Sequence, residues 1–373
     1  MKVKRIVSLA FVLTLFSMST LGTRLVVPLS GSTFHVYPED SIQDAINSAK
    51  SGDTILVHAG TYPENLVVAK SLTLVGESKE STIVDGGGEN QSVIEVTASN
   101  VVINNFTVQN SSRVAGTSYA GIKVLGNTCN ITGNHVTKTK MGIYVISQKS
   151  IIAENIATRN ENGIALYSSS KVTVQANNMS ANTVGISLAL SFNNTIVDNI
   201  VANSSSGGHG ITLLSNSFNN TISSNDLVNN YHGMWLSGSS NNWIVENNIA
   251  NNQLLGIELA GSSNNIFHHN NFTNNPKNIV IDSNSVSIWD DGYPSGGNYW
   301  SDYDDEDLYS GPYQNETGSD GIWDNPYIIN GNNQDNYPVV PEFPTWTSIL
   351  LVLIMPTVAI IICKRKLLKT PTH

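Results

Sequence analysis

Between about residues 70 and 286 the apolar residues come in short pieces of 3–5 that alternate with polar ones, for example Ile222, then Leu227, then Met234 and Leu236. A period of two over so few residues suits strands and is too short for helices. The pieces also return in step. A Gly followed by an apolar residue stands at Gly121, Gly142, Gly163, Gly185, Gly210, Gly233 and Gly256, with spacings of 21, 21, 22, 25, 23 and 23. A second marker keeps pace at Asn134, Asn155, Asn177, Asn199, Asn225, Asn248 and Asn270, with spacings of 21, 22, 22, 26, 23 and 22. Gly and Asn both tolerate positive φ, which assigns markers such as Asn225 and Gly233 to sharp corners.

A unit of ~22 residues cannot bury its own apolar face and must stack on its neighbours. Strands of successive units then lie parallel and ~4.8 Å apart. The pattern predicts an all-β chain, a single-stranded right-handed parallel β-helix of about ten ~22-residue coils. Stacking accounts for the asparagines as well, because amides at one phase of every coil can bond along the stack and satisfy backbone at the bends. Upstream, Ile42, Ala45, Ile46 and Ala49 mark the apolar face of a short helix with Asp40 or Ser41 as N-cap. Strand-like pieces follow at 54–57, 66–68 and 72–76. A helix there would cover the first coil, which otherwise exposes strand edges and core.

The two ends read differently. Lys2, Lys4 and Arg5 precede an apolar run from Ile6 to about Phe16, the pattern of a secretory signal peptide over 1–23. From Thr345 to Cys363 run 19 residues without a charge, flanked by Trp346 and by Lys364, Arg365 and Lys366. That length matches a ~30 Å hydrocarbon core, and the basic flank belongs in the cytoplasm. The residues between the two apolar segments are therefore expected outside the cell, with 364–373 as a cytoplasmic tail. Cys129 and Cys363 form no disulfide framework, since one of them falls in the expected membrane span. The charged fraction is 13%, against the ~25% usual in soluble domains, but 40% hydrophobic residues exclude a disordered chain. Ten N-x-[ST] sites, among them Asn105, Asn130, Asn178, Asn219 and Asn315, fit surface glycosylation.

"IQDAINSAKSGDTILVHAGTYPENLVVAKSLTLVGE" (42–77), with the repeats that follow, resembles the pectin-lyase-like superfamily, and more narrowly the NosD-like, CASH-domain β-helix proteins of archaeal surfaces. The resemblance covers about residues 34–286. It implies the β-helix strongly and an activity weakly, since it spans lyases, hydrolases, epimerases, adhesins and a copper-maturation accessory protein. The stretch "VVPEFPTW" resembles the PEF-type sorting signal of archaeal surface proteins. By that resemblance an archaeosortase would cleave near 341–344 and attach the protein to lipid; the plain alternative is an uncleaved span over 345–363.

A lyase or hydrolase on this scaffold needs several charged groups converging on one groove. Between 121 and 285 the acidic residues are Glu154, Glu161, Asp198, Asp226, Glu246, Glu258 and Asp282, and their phases in the repeat form no convergent pair. "GGHG" (207–210) is similar to the Gly-His-Gly of polygalacturonase-like hydrolases, but the paired aspartates and Arg-x-Lys of that family have no counterpart here. His209 and His232 each precede a repeat Gly and should lie on adjacent coils, where imidazoles ~5 Å apart could share Cu²⁺ or Zn²⁺. Stacked surface side chains are the plain alternative. His268 and His269 point to opposite faces if they lie in a strand, a poor chelate. Tyr231, Trp235 and Trp243 fall in the same coils, with Trp235 between inward Met234 and Leu236, and offer a stacking platform for sugars.

From 287 to 340 the chain carries eleven acidic residues and no Lys, Arg or His. Asp302, Asp304, Asp305 and Asp307, with Asp320 and Asp324 further on, have the carboxylate density of oxygen-ligand Ca²⁺ loops. A Ca²⁺-organised C-terminal cap is one expectation and a solvated acidic surface the other. The resulting division is a signal peptide (1–23), N-terminal cap and first coils (32–110), repeats (111–286), acidic aromatic cap (287–340), sorting motif (341–344), membrane helix (345–363) and tail (364–373). The leading expectation is a non-catalytic cell-surface protein that binds glycan or envelope partners and no nucleic acid. A polysaccharide lyase or hydrolase, and a NosD-type copper-handling accessory, are the alternatives.

Overall fold

The computed structural model describes residues 31–341, apart from 115, 117 and 206. The expected signal peptide, membrane helix, tail and most of the sorting motif lie outside these residues. Among the described residues no helix is long and apolar enough to cross a membrane.

The chain winds as a right-handed parallel β-solenoid with three faces. An 11-stranded parallel sheet runs from Thr33–Val36 to Ile266–His268, and a 10-stranded sheet from Leu66–Val68 to Ile279–Ile281. The third face is made of two 5-stranded sheets, Gly60–Tyr62 to Ile156–Thr158 and Ile200–Ala202 to Tyr299–Trp300, joined through bridges at Asn178. The stack therefore has about 11 turns rather than ten, because strands of the N-terminal segment already pair in register, as Thr54 does with Thr73 and Thr73 with Val102. One residue per short strand points inward, and Ile131, Ile152, Val174, Ile196, Ile222, Ile244 and Phe267 form one such fully buried column.

The N-terminal helix spans Ile42–Ser48 and buries Ile42 and Ile46. Ser41 rather than Asp40 is the N-cap, accepting from the Asp44 amide at 3.2 Å. Glu64 accepts from the amides of Ile42 and Gln43, which places a carboxylate on donors that helical bonding leaves free.

The repeat markers do a different job from the corners assigned to them. Asn134, Asn155, Asn177, Asn199, Asn225, Asn247, Asn270 and Asn298 form a buried ladder in which each Oδ1 accepts from the backbone amide of the rung before it. The rung is Asn247, not Asn248. The corner needs one left-handed residue first, and from Asn155 to Asn270 that residue is the one preceding the rung: Glu154, Ala176, Asp198, Ser224, Glu246 and His269 all have φ near +55°. The repeat glycines have no positive φ and lie inside strands of the ten-stranded sheet. They are glycine because the next coil is too close: a Cβ on Gly163 would meet the Gly185 carbonyl oxygen at 2.6 Å.

Beyond the last coil, Trp289 stacks on Phe267 at 4.3 Å and Trp300 on Phe272 at 4.4 Å, both indoles buried. Asp335, also buried, accepts from the Asn298 amide at 2.7 Å and from Trp300 Nε1 at 2.9 Å, so the asparagine ladder ends on a carboxylate. Burial pushes the Asp335 carboxyl up to about 7 against the pull of these donors. Its folded value lies above its unfolded one, so the stability it contributes is full at low pH and is lost as the pH rises through about 7. An Asp335→Asn variant, whose amide oxygen can still accept, is expected to show less fall in melting temperature than wild type across that interval, followed by circular dichroism.

Candidate functional site on the ten-stranded sheet

Outward positions of this sheet run coil to coil as Ala165, Ser187, Thr212, Trp235 and Glu258. The neighbouring column, one residue before the repeat glycines, runs Val184, His209, His232 and Leu255. The sheet pairing thus brings His209 and His232 into direct register, with ring centroids 4.9 Å apart and the rings edge to face. His209 stacks on Trp235 at 5.1 Å, and Tyr231 stacks on His232 at 5.0 Å. Tyr231, His209, His232 and Trp235 therefore form one patch, all of them partly buried.

Trp243 does not belong to it. The chain turns between Ser237 and Trp243, and Trp243 pairs with Thr221 and Ile266 on the eleven-stranded sheet, where it is 50% exposed. Two further members are not among the residues expected from the sequence. Glu258 Oε2 lies 3.4 Å from His232 Nδ1, and Thr212 sits beside Trp235 on the coil before. The repeat does carry their signal: Thr212, Trp235 and Glu258 each stand two residues after a repeat glycine.

Burial decides the electrostatics. Desolvation, with a contribution from His232, lowers the His209 imidazole to about 4. Desolvation also lowers His232, opposed by the Glu258 carboxylate. Both imidazoles are thus neutral at physiological pH, each with one donor and one acceptor nitrogen. Thr212 Oγ1, Trp235 Nε1 and His232 Nε2 are buried without a hydrogen-bond partner, while His232 Nδ1 has only its 3.4 Å contact with Glu258. Buried polar atoms are normally paired, so three such atoms on two adjacent coils mark a place where bonding capacity is left over.

His268 and His269 do not diverge: the strand ends at His268, His269 takes φ +56°, and the two Nδ1 atoms meet at 3.1 Å. The acidic segment uses its carboxylates on its own loops. Asp305 accepts from the Asn325 amide, Asp307 from those of Asp320 and Gly321, Asp320 from that of Ile322, and Asp324 from those of Leu308 and Tyr309. Asp302 accepts from Asn278 and the Tyr327 hydroxyl. Among the described residues, Asp304 included, no three His, Cys, Asp or Glu come together as metal ligands.

The family model described as periplasmic copper-binding protein (NosD) matches residues 46–305, most of the chain. The chain belongs to the NosD family. A cell surface glycoprotein of Methanothermus fervidus is 30% identical over 207 residues, covering 46% of this chain. The NosD-family chain spans 34% of the length of that relative. Among solved structures, the enzymatically active domain of a bacteriophage CBA120 tailspike protein matches with a TM-score of 0.58 at 15% identity, covering 68% of this chain and 47% of its own. A complex of XylC with xylose matches with a TM-score of 0.56 at 11% identity, covering 66% and 70%. At such identities these structures share the fold.

The family description names copper, and the patch is the place to test the fit. Two neutral imidazoles and a carboxylate are a donor set that borderline divalent metals accept. The residues as placed do not complete it, because they form no three-ligand group.

Proposed function

We propose that this protein is a cell-surface β-helix that binds glycan through the patch of Tyr231, His232, Trp235, Thr212 and Glu258, without cleaving it. The observation that carries the reading is the three unpartnered buried polar atoms, Thr212 Oγ1, Trp235 Nε1 and His232 Nε2, in a patch with stacked aromatic rings. A sugar ring presents an apolar face and a rim of hydroxyls, and aromatic rings beside unpaired donors and acceptors match both. Turning the half-buried Trp235 ring outward would open Nε1, Thr212 Oγ1 and the His232 nitrogens to such a ligand. The similarity to a cell surface glycoprotein supports the location.

The charges of the patch support binding over hydrolysis. Glycoside hydrolysis uses two carboxyl groups flanking the bond, and Glu258 is the one carboxylate in this patch. A glycan array probed with the purified chain tests the reading. Saccharide binding that disappears in Trp235→Ala supports it; release of reducing ends from a bound polysaccharide would replace it with the enzymatic alternative.

A further inference from the structure

A second surface lies on the third face, several coils toward the N-terminus. An open groove of about 490 Å³ runs over Thr107, Gln109, His135, Thr137 and Thr158, with Lys138 and Arg159 along it. It adjoins a hollow of about 560 Å³ beside Gly87 and Gly88 that shares Lys138 and adds Arg113. Arg113, Lys138 and Arg159 are all exposed, in a chain whose net charge is −10. Arg113 reaches across 46 residues of sequence to donate from Nη2 to the Arg159 carbonyl at 3.1 Å, which brings its guanidinium to the end of the groove where the hollow begins. Burial first, then the cations Lys79 and Arg159, lower the His135 imidazole, against the pull of the Glu80 carboxylate. Asp85 faces the same region, but the Gly87 amide, Gln109 and Asn110 already donate to it.

Two of these cations share a corner of the coil, as Lys149 and Lys171 share another. The strand registers align Asn110, Lys138, Arg159, Ala181, Asn203, Asn229, Asn251 and Asn274 as one column at the same corner. All eight have φ between +54° and +61°. Asn tolerates that conformation and fills five of the eight positions, whereas a long side chain is disfavoured there. Lys and Arg stand in it on two consecutive coils, at the two positions that line the groove.

We propose that this groove binds an anionic polysaccharide, its carboxylate or sulfate groups on Lys138, Arg159 and Arg113 and its hydroxyls on the threonines and Gln109. Cations one coil apart suit a repeating anionic chain, and the hydroxyl and amide floor suits sugar. The inference stands on a different face from the Trp235 patch and does not rest on it.

The test is Lys138→Asn/Arg159→Asn in the full chain, since Asn is the residue the same corner holds in other coils. Binding is measured by titration against polygalacturonate, dextran sulfate, neutral dextran and a single-stranded DNA oligonucleotide, at low and high salt. Wild type is expected to bind polygalacturonate or dextran sulfate, whichever anion the groove takes, but not dextran, with affinity falling as salt rises. Losing two exposed ion contacts should weaken it roughly tenfold, with melting temperature unchanged or higher. Equal affinity in the variant, or no binding to either acidic glycan at low salt, would overturn the proposal. Tighter binding to DNA would overturn its assignment to glycan.

Discussion

Gly233→Val is expected to destabilise the solenoid by ~3 kcal/mol or more, through a clash that the coil cannot relieve locally. A Cβ at Gly233 would lie 2.6 Å from the Gly256 carbonyl oxygen, 2.9 Å from Asn252 Nδ2 and 3.0 Å from Ile249 Cγ2. The first of these is backbone of the next coil and cannot rotate away. Relief therefore requires the coils to separate, which breaks the parallel pairing on both sides. Gly238→Ala is the control: it has φ +57° but open space around it, so it should cost only about 1 kcal/mol. Urea unfolding followed by circular dichroism checks the pair, and equal midpoints would show that close approach does not explain the repeat glycines.

The second large effect separates two adjacent asparagines. Asn247 is fully surrounded: its Oδ1 accepts from the amide and Nδ2 of Asn225, and its own Nδ2 donates to the carbonyls of Ile222 and Val245 and to Asn270. Asn247→Ala leaves several of these buried groups unpaired, at ~1–3 kcal/mol each, so a loss of about 3 kcal/mol is expected. Asn248 donates to Asp226 from a partly buried surface position, and Asn248→Ala should cost less than about 0.5 kcal/mol. Because a solenoid can unfold in segments, amide hydrogen exchange is the better probe. It should show Asn247→Ala opening the coils around the ladder while Asn248→Ala exchanges like wild type.

The same two positions mark where the sequence is informative and where it is not. The period of the chain reports the coil, because each coil must present the same inward positions to its neighbours. Composition does not tell which of two adjacent asparagines faces inward, since "ENN" (246–248) offers both. The answer depends on Glu246 taking the left-handed corner, φ +57°, which turns Asn247 into the core. The functional patch is half legible for a related reason. His209 and His232 share a phase that pairs them, and alternation points Trp235 outward. Trp243 joins the patch only by nearness in sequence, and the corner before it carries the chain to another sheet. Glu258 escapes a search for pairs of carboxylates, because its partner in space is an imidazole. The groove of Lys138 and Arg159 is not legible from the repeat, because Lys149 and Lys171 hold the equivalent place at another corner without lining it.

A saccharide-binding surface at the Trp235 patch is the central claim. Isothermal titration of the glycan selected by the array, into wild type and Trp235→Ala, tests it most directly. The expected result is saturable binding to wild type and at least about a tenfold loss in the variant, the effect of removing a well-packed aromatic contact. Equal affinity in the two proteins, with both folded by circular dichroism, would contradict it.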